Sequence, residues 1–583
     1  MRTIFTVLLV LLAVSTVSVS SKSITNPNTL FDVQQAYGQK VQVKTAANKH
    51  LTFTSKHPLK AIKPNQPNLF RSKPFYNSKA ALKQFQVQFK VGNSYNVQQF
   101  GAKGDGVTDD QAAINQAIAR AAGTGLSVYF PPGNYLHSGL IVSNSVALFG
   151  VGASTILTAT NNANGAIELI GNGPSLSNLV VQYANPAPAT SNQPDTTPQA
   201  GAVWVQSANN FAVTQVTMLS SSQNDIDIFQ SSNGNMSSNK IITTATMFDG
   251  IQIVDCINLQ LLNNNFSCSG INSAIDEFFG AISSQNLNIS YNQINVELSH
   301  NFSNAISING LQCPQITHNI ISVSSNGGFG IYVSGADGVQ IEHNTVTNNM
   351  NGGGIQVWYS NDGIQLIGNT ITSGNASTGI GVNFDDSVLI SNNVLTCSAS
   401  AGIDSDTVSS LQITNNVLAG TLGGGDISIA RASNLQITNN LVTNCNFGIG
   451  VGPGDDATIS SNVIDTTTAD GIAVYKYANF TVQNNTLKNI GGNGILFNAL
   501  GGSTTSATIS TNSLSSCCIS SGNVIDVEPN GGTVSALTIQ NNTYAGPANN
   551  ATYYIQSLVP GSATNPNISG NTQATALPNN LAP

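Results

Sequence analysis

Charged residues make up only 8% of this 583-residue chain, and basic residues are nearly missing from most of it. Beyond position 200 the basic residues are Lys240, Arg431, Lys476 and Lys488. Residues 22–91 hold twelve Lys or Arg and one acid, whereas residues 92–583 hold six basic residues and twenty-six acids, a balance of −20. Because a domain of that charge repels polyanions, we expect no nucleic-acid partner.

Long apolar runs are missing after the amino terminus. Residues 1–21 begin with Met and Arg, continue as an apolar run and end in small residues, which is the pattern of a signal peptide. No later run approaches membrane-spanning length, so we expect a secreted, extracellular protein without membrane insertion. Residues 22–93, rich in Lys, Gln, Asn and Pro, are predicted to be a flexible basic arm, and residues 576–583 a short tail.

Cysteine is rare, and neither cysteine nor histidine forms a cluster. Seven cysteines leave at least one unpaired. Cys256 and Cys268 could pair locally, but their spacing does not fix the connectivity. No Cys or His group has the spacing of metal ligands, so we expect neither a structural zinc site nor a cofactor.

The abundant feature is a repeat close to Leu-Gln-Ile-Thr-Asn-Asn-Val-Leu, which occurs thirteen times. Its sixth residue falls at Asn264, Asn292, Asn319, Asn344, Asn369, Asn393, Asn416, Asn440, Asn462, Asn485, Asn512, Asn542 and Asn571. Successive copies are 22 to 30 residues apart, the size of one coil in a solenoid. We interpret each asparagine as a corner residue with left-handed backbone, whose amide joins a hydrogen-bonded ladder at a spacing of about 4.8 Å.

The repeats read as strands. Apolar residues alternate within each copy, as at Leu411 and Ile413, and no copy has helical spacing. A second strand of the form Gly-Ile-x-Val precedes many copies, for example at residues 354–357 and 379–382. Short strands with β-branched interiors and glycine corners predict an all-β fold, a right-handed parallel β-helix over residues 94–575.

One amphipathic helix is predicted near the start of this domain. Thr108 and Gln111 fit a capping box, and Gly123 marks the end of the helix. Its apolar stripe consists of Ile114, Ala117, Ile118 and Ala121. We expect the helix to cover the open end of the solenoid, which would otherwise expose sheet edges.

The segment around this helix reads FGAKGDGVTDD and then VYFPPGNYL, and it resembles the opening of the pectin-lyase-like superfamily, specifically its pectate-lyase-3 type domain. That superfamily includes polygalacturonases, polysaccharide lyases, alginate epimerases and phage tailspikes, so the resemblance implies the fold and a polysaccharide partner without naming a reaction. The Gly-His-Gly of polygalacturonases, the Asp-Pro-His of mannuronan epimerases and the Arg-x-Pro-x-x-Arg of pectate lyases are absent here. We interpret Asp105, Asp109 and Asp110 in this opening as structural.

Alignment of the second strands predicts two outward rows, because the Ile and Val on either side point inward. The first row includes Tyr332, Gln356, Gly381, Asp404 and Ser428, and the second includes Ser334, Trp358, Asn383, Asp406, Ala430 and Tyr475. Directly after the second row come Tyr359, Phe384, Arg431 and Lys476. We predict a sugar-binding groove whose substrate contacts are Tyr332, Gln356, Trp358, Tyr359, Asn383 and Tyr475.

The leading hypothesis for the reaction is glycoside hydrolysis by paired carboxylates, as in polygalacturonases. Asp404 and Asp406 lie two residues apart on one strand, about 6.6 Å along the backbone, which suits an inverting mechanism. Asp385 and Asp386 lie one coil away, and Asp406 is the leading catalytic candidate. Asp385, Asp386 and Asp404 could instead cap turns, a common role for aspartate.

Two alternatives stay open. In β-elimination or epimerisation of a polyuronate, Arg431 or Lys476 would act as base, and Asp385, Asp386 and Asp406 would bind Ca²⁺. Hydrolysis ranks ahead because the negative domain repels polyuronates. A non-catalytic carbohydrate-binding or surface structural protein is the other alternative. In every case the expected partner is a polysaccharide and the expected state is a monomer.

Overall fold

The structure is a computed structural model, and it describes the following parts of the chain. The described residues are 32–34, 40–44, 50–54, 93–161, 165–185, 201–219, 224–243, 249–278, 284–299, 303–324, 328–348, 352–360, 363–374, 378–398, 401–423, 426–520, 522–528, 530–546, 555–557, 566–573 and 580–581. The chain divides into two compact units, Met1–Gln88 and Phe89–Pro583.

In the first unit, the described residues form one antiparallel sheet of three strands, Asp32–Gln34, Lys40–Lys44 and His50–Thr54. The predicted signal peptide, residues 1–21, lies outside the described residues. So do most of the predicted basic arm, residues 22–93, and most of the predicted tail, residues 576–583. These three boundaries stay predictions.

The second unit is a parallel β-solenoid with one short helix near its start, which confirms the predicted fold class. Each turn adds one strand to each of three parallel sheets. The first sheet follows the repeat asparagines, the second contains the Gly-Ile-x-Val strands, and the third contains the Leu-Gln-Ile-Thr strands.

The strands of the first sheet are Asp105–Asp109, Gly133–His137, Thr155–Ala159, Val180–Tyr183, Thr217–Leu219, Lys240–Thr243, Asn265–Ile271, Gln293–Leu298, Ile320–Val323, Thr345–Asn348, Thr370–Ser373, Val394–Cys397, Val417–Gly423, Leu441–Cys445, Val463–Thr467, Thr486–Ile490, Ser513–Ser515, Thr543–Ala545 and Thr572–Gln573. Those of the second are Leu140–Ser143, Ile167–Asn172, Val203–Asn209, Ile226–Phe229, Ile251–Val254, Ile275–Phe278, Ile306–Asn309, Ile331–Ser334, Ile355–Trp358, Ile380–Asp385, Ile403–Val408, Ile427–Ala432, Ile449–Val451, Ile472–Tyr475, Ile495–Asn498, Ile525–Glu528, Ile555–Ser557 and Asn580–Leu581. Those of the third are Ser94–Asn96, Ser127–Tyr129, Ala147–Phe149, Ser175–Ser177, Ala212–Thr214, Asn235–Ser237, Ile257–Leu262, Gln285–Ser290, Gln315–Thr317, Gln340–Glu342, Ile364–Ile367, Val388–Ser391, Leu411–Thr414, Leu435–Thr438, Ala457–Ser460, Asn479–Gln483, Ser506–Ser510, Leu537–Gln540 and Asn567–Ser569. Ser503–Thr504 and Thr533–Val534 form a separate pair.

The core lies inside the three sheets. In the second sheet the Ile and Val of each strand point inward, and Ile380 and Val382 are fully buried. Leu411 and Ile413 do the same in the third sheet. The alternation points the intervening side chains away from this core, so one apolar core runs the length of the solenoid and one outer face belongs to each sheet.

The predicted asparagine ladder is confirmed. Asn393 donates from its backbone N and from Nδ2 to Oδ1 of Asn416, both at 2.9 Å, and from Nδ2 to the carbonyl of Leu366 at 2.8 Å. Its own Oδ1 accepts from the backbone N and Nδ2 of Asn369 at 2.8 and 3.0 Å. The same pattern joins all thirteen repeats and continues one turn earlier to Asn239.

The backbone conformation predicted for these asparagines is wrong by one residue. The left-handed position is the residue before each ladder asparagine, as at Asn392 and Asn415, both with φ of 57°. At three successive turns it is occupied by Tyr291, His318 and His343. The ladder asparagine can therefore turn its amide inward, because the preceding residue makes the sharp bend.

Helix α1 spans Gln111–Ala122, and the predicted apolar stripe is buried. The predicted capping box is wrong. Thr108 belongs to a strand and donates from Oγ1 to Asp105 Oδ2 at 2.8 Å. Asp110 is the N-cap residue, but its carboxylate accepts from the backbone of residues 103 and 104 instead of capping the helix. Asp105 and Asp110 thus have the structural role expected of this opening.

All seven cysteines are free thiols, and six of them are buried. Cys256 and Cys268, the pair considered above, are both in the core and are not bonded to each other. The solenoid is therefore stabilised by its core and its ladder without a disulfide.

Asn393→Ala should lower the free energy of unfolding by on the order of 3 kcal/mol, because it leaves several buried polar groups without partners. Denaturation in guanidinium chloride followed by circular dichroism measures the loss. The control is Asn392→Gly, which changes the adjacent left-handed residue to one that tolerates that conformation, and it should cost little. Equal losses in the two variants would contradict the assigned role of the ladder.

Candidate functional site

The two outward rows predicted on the second sheet are in register, with neighbouring turns about 4.8 Å apart. Row A contains Tyr332, Gln356, Gly381, Asp404 and Ser428 as direct strand partners. Row B contains Ser334, Trp358, Asn383, Asp406 and Ala430. The predicted alignment is confirmed for these ten positions, which form one continuous outer face.

Directly after row B, the chain turns at one residue with positive φ. On successive turns this residue is Gly335, Tyr359, Phe384, Thr407 and Arg431, and two turns later it is Lys476, with φ between 50° and 62°. We call this line the corner column. Tyr359 is 57% exposed and the Arg431 side chain 60% exposed. The left-handed turn thus adds an exposed edge beside rows A and B.

Asp406 and Arg431 form an ion pair on this face. Arg431 Nε donates to Asp406 Oδ1 at 2.7 Å, and Arg431 Nη2 contacts Asp406 Oδ2. Thr407 Oγ1 donates to the same Oδ1 at 3.0 Å. An exposed pair contributes little to stability, but two parallel contacts fix the orientation of the carboxylate. Arg431, a predicted base, is therefore the partner of Asp406.

Asp404 lies two residues before Asp406 and has a different environment. Partial burial raises the pKa of the Asp404 carboxyl, and the negative charge of Asp406 raises it further, against a hydrogen bond from Ser428. Burial also raises the pKa of Asp426 to about 6, and the charge of Asp404 adds to that shift. The strand therefore presents one carboxyl whose pKa is raised and one that is paired with a cation.

Asp385 and Asp386, the other two predicted acids, are turned away from this pair. The corner residue Phe384 shifts the alternation, so Asp385 pairs in register with Val408 and is 3% exposed. Asp385 Oδ1 accepts from the backbone N of Ser360, and burial raises the pKa of Asp385 to about 7. Asp386 is exposed and accepts from the Ser409 hydroxyl. The expectation that Asp385 joins the outward carboxylates is wrong.

Three aromatic rings gather at the amino-terminal side of the acidic pair. Tyr359 and Phe384 stack with centroids 4.8 Å apart and planes at 13°. Trp358 lies beside them, 5.8 Å from Tyr359 and 6.3 Å from Phe384. Exposed flat rings of this kind bind the apolar faces of sugars. The predicted contacts Trp358 and Tyr359 are therefore brought together, with Asn383 between Trp358 and Asp406 in row B.

The remaining predicted contacts are spread along the face. Tyr332 is half-buried one turn before Gln356, and Gln356 is nearly buried, with its amide donating to the carbonyl of Val357 at 3.1 Å. Tyr475 and Lys476 lie three turns beyond Asp406, a distance of about 14 Å. They share the face with the ion pair without touching it.

Sequence reasoning missed several polar residues of this face. Thr407 was at the same register as the other corner residues, and Asp426 immediately precedes an Ile-x-Ile strand, so both could have been found by extending the alignment. Asp526 and Glu528 occupy rows A and B at a later turn, where Leu496 and Asn498 are their strand partners. Their strand lacks the introductory glycine, which hid its register.

Another group of carboxyls lies five or more turns upstream, below the surface. Burial raises the pKa of Asp276 to about 6 and holds that of Asp249 well above its usual range. Asn224 Nδ2 donates to Asp227 Oδ1 at 2.6 Å, and the backbone N of Ser273 donates to Asp249 Oδ1 at 2.9 Å. Because Asp227 and Asp249 are buried and hydrogen-bonded locally, we assign them a structural role.

The predicted calcium ligands are not assembled. The buried Asp385 carboxylate accepts from the backbone N of Ser360, and Asp386 accepts from the Ser409 hydroxyl. Asp406 forms an ion pair with Arg431. Across the described residues, no three His, Cys, Asp or Glu side chains converge as a metal site would require. Among the same residues, no helix has the length and apolar character needed to cross a membrane.

The parallel β-solenoid agrees with the protein families that the sequence matches. Residues 94–293 match the family described as Rhamnogalacturonase A/epimerase, pectate lyase-like, and residues 378–543 match the Right handed beta helix region family. The chain therefore contains a pectate lyase-like domain and a right-handed β-helix region, which confirms the resemblance seen in the sequence.

Individual relatives are similar over short stretches. Mannuronan C5-epimerase AlgE1 from Azotobacter vinelandii is 48% identical over 68 residues, 10% of this chain and 5% of the epimerase. Non-secreted LysM effector LysM15 from Penicillium expansum is 49% identical over 57 residues, 8% of this chain and 4% of the effector. A hyperthermoactive exopolygalacturonase from Thermotoga maritima aligns at 13% identity with a TM-score of 0.32, covering 64% of this chain and 87% of that one.

Asp385→Asn should change how stability depends on pH. The pKa of Asp385 rises from 3.8 to about 7 on folding, so between these values the folded state keeps a proton that the unfolded state has released. Stability therefore falls as pH rises from about 4 to about 7, and the full loss persists above that window.

The variant keeps the oxygen that accepts from Ser360 and has no titration. Its free energy of unfolding, minus that of the wild type, should become more positive between pH 4 and pH 8 in urea denaturation. The control is Asp455→Asn, at an exposed aspartate three turns from Asp385, and it should show no such trend. A difference for Asp385→Asn that is constant with pH would exclude the buried titration.

Proposed function

We propose that the protein is a secreted, polysaccharide-active glycoside hydrolase in which Asp404 is the general acid and Asp406 the general base. The observation that carries the proposal is the contrast between these two carboxyls on one strand. Burial raises the pKa of Asp404, whereas Asp406 accepts hydrogen bonds from Arg431 and Thr407. Two carboxyls in environments this different can divide the acid and base roles between them.

In this mechanism Asp404 protonates the glycosidic oxygen and Asp406 takes a proton from the attacking water. Positions two residues apart on a strand are separated by about 6.6 Å, within the range of roughly 6.5 to 9.5 Å used by inverting enzymes. A carboxylate oxygen has two lone pairs, so Asp406 can accept from Arg431 and still accept from water. Arg431 and Thr407 act as positioning residues because they orient Asp406.

The aromatic rings support binding of a polymer along the face. Trp358 and Tyr359 are 36% and 57% exposed and lie two turns before Asp406. Rings in this position can hold one part of a glycan while the bond to be cleaved lies between Asp404 and Asp406. Binding energy from such remote contacts can position the reacting bond.

Hydrolysis is preferred to elimination for two reasons. Arg431 is bound to Asp406, and Lys476 lies three turns away, so neither is a free base beside the carboxylate pair. The candidate calcium ligands Asp385, Asp386 and Asp406 have separate partners, so among the described residues they do not converge on one cation. The pectate lyase-like family match and the short likeness to a mannuronan epimerase support a polysaccharide as substrate.

Asp404→Asn and Asp406→Asn should each lower kcat by at least about 100-fold, the usual contribution of a general acid or base. A panel of neutral and acidic polysaccharides, assayed for new reducing ends and for ultraviolet absorbance, measures the reaction. Reducing ends without absorbance indicate hydrolysis. Because Asp404 must be protonated to act, the wild-type rate should fall as pH rises through its raised pKa.

The matched control is Asp465→Asn, a similarly charged position on the first sheet, which should keep full activity. An unsaturated, absorbing product would replace hydrolysis with elimination. Binding without any product from the wild type would identify a carbohydrate-binding protein. Full activity in Asp406→Asn would exclude the assigned site.

A further inference from the structure

Among the described residues, a parallel ring stacks on only one face of Tyr359. Phe384, on the next turn, covers that face with centroids 4.8 Å apart and planes at 13°. Because the two residues lie on neighbouring turns, the stacking direction follows the axis of the solenoid. The other face, which we call the free face, therefore points toward the preceding turn, and Tyr359 is 57% exposed.

The preceding turn has small residues at this place. Gly335 is the corner residue one turn before Tyr359, and Ser334 is the strand partner of Trp358. The nearest atoms to a Cβ added at Gly335 would be the backbone N and Cα of Gly310, at 3.8 and 3.9 Å. Gly310 is also a glycine with positive φ, of 71°. The corner column therefore has no side chain on the two turns before Tyr359.

We propose that a sugar ring stacks on the free face of Tyr359. This subsite, which we call the step, is bounded by Tyr359, by Trp358 and by the glycine corners Gly310 and Gly335. The ring is a pyranose of the same polysaccharide that reaches Asp404 and Asp406, so the inference rests on the proposed function for its ligand. Gly335 determines the specificity of the subsite, because a side chain there would fill the space above Tyr359.

The geometry favours a sugar because the ligand must be flat, partly apolar and part of a longer chain. Aromatic rings bury the apolar face of such a group, and the hydroxyls at its edge stay in solvent or meet Ser334. The rows connect the step to Asp406 without interruption, through Trp358 and Asn383. Three turns separate Gly335 from the turn of Asp406, about 14 Å, so one extended glycan can occupy both places.

The test is binding of three soluble probes to the full chain, namely hexamers of β-1,4-glucan, β-1,3-glucan and α-1,4-galacturonan. Trp358 provides the signal, because the other of the two tryptophans, Trp204, is 1% exposed and stacked on Phe229. At least one hexamer should change the fluorescence, and Trp358→Phe should remove the change. Titration calorimetry gives the affinity independently of the fluorophore.

Gly335→Asn and Tyr359→Asn should each weaken that affinity about tenfold. Asparagine tolerates positive φ, so both variants should fold. The first fills the step and the second removes the platform. The matched control is Gly363→Asn, which adds the same side chain at another glycine with positive φ and open surroundings, and it should bind within about twofold of the wild type.

The subsite is excluded if no hexamer binds, if Gly335→Asn binds as tightly as the wild type, or if Gly363→Asn weakens binding equally. Asp406→Asn separates this inference from the proposed reaction, since it should abolish cleavage and keep the affinity. Binding that depends on Gly335 in a protein that cleaves nothing would remove the hydrolase proposal and leave the subsite. If Gly335→Asn cleaves the polysaccharide as well as the wild type does, the subsite is removed and the hydrolase proposal is left.

Discussion

The buried asparagine ladder is the interaction on which the rest of the structure depends. Each ladder side chain satisfies backbone groups of the preceding turn and bonds to the side-chain amide of the following one. Asn393 does so for Asn369 and the carbonyl of Leu366 on one side and for Asn416 on the other. A shift of one residue in any turn would leave these buried groups without partners, at a cost comparable to a core defect. The ladder thus fixes the register of every turn, and through it the alignment of all outward rows.

The corner after the second sheet also depends on a residue with left-handed backbone, but its side chain has a different role. Where the ladder corner turns polar groups inward, the corner after the second sheet has one left-handed residue whose side chain projects outward. That is why residues as different as Tyr359, Thr407 and Arg431 share one backbone conformation. The protein accepts the small strain of non-glycine residues there, and the result is an exposed column beside the two rows.

The geometry of these two corners explains which parts of the site could be predicted from the sequence. Rows A and B could be predicted, because a strand alternates strictly and the repeat supplies the alignment; Trp358, Asn383 and Asp406 fell into place on that basis. The burial of Asp385 could not be predicted, because the left-handed residue Phe384 reverses the alternation and no residue type marks that reversal. The contacts of Arg431 with Asp406 depend on rotamers across two turns, which spacing alone does not determine. The capping of α1 failed for a similar reason, since Asp105 competes for the Thr108 hydroxyl.

The separation of inward and outward positions also explains why the family is recognisable while its reaction motifs are absent. Stability resides in the core and the ladder, which leave the outward rows free to change without altering a single ladder contact. The step at Gly335, the rings that follow it and the carboxyl pair at Asp404 and Asp406 all lie on positions of that kind. A chain can therefore keep the opening segment and the solenoid while its outer face changes, so the chemistry of this protein has to be argued from its own outward side chains.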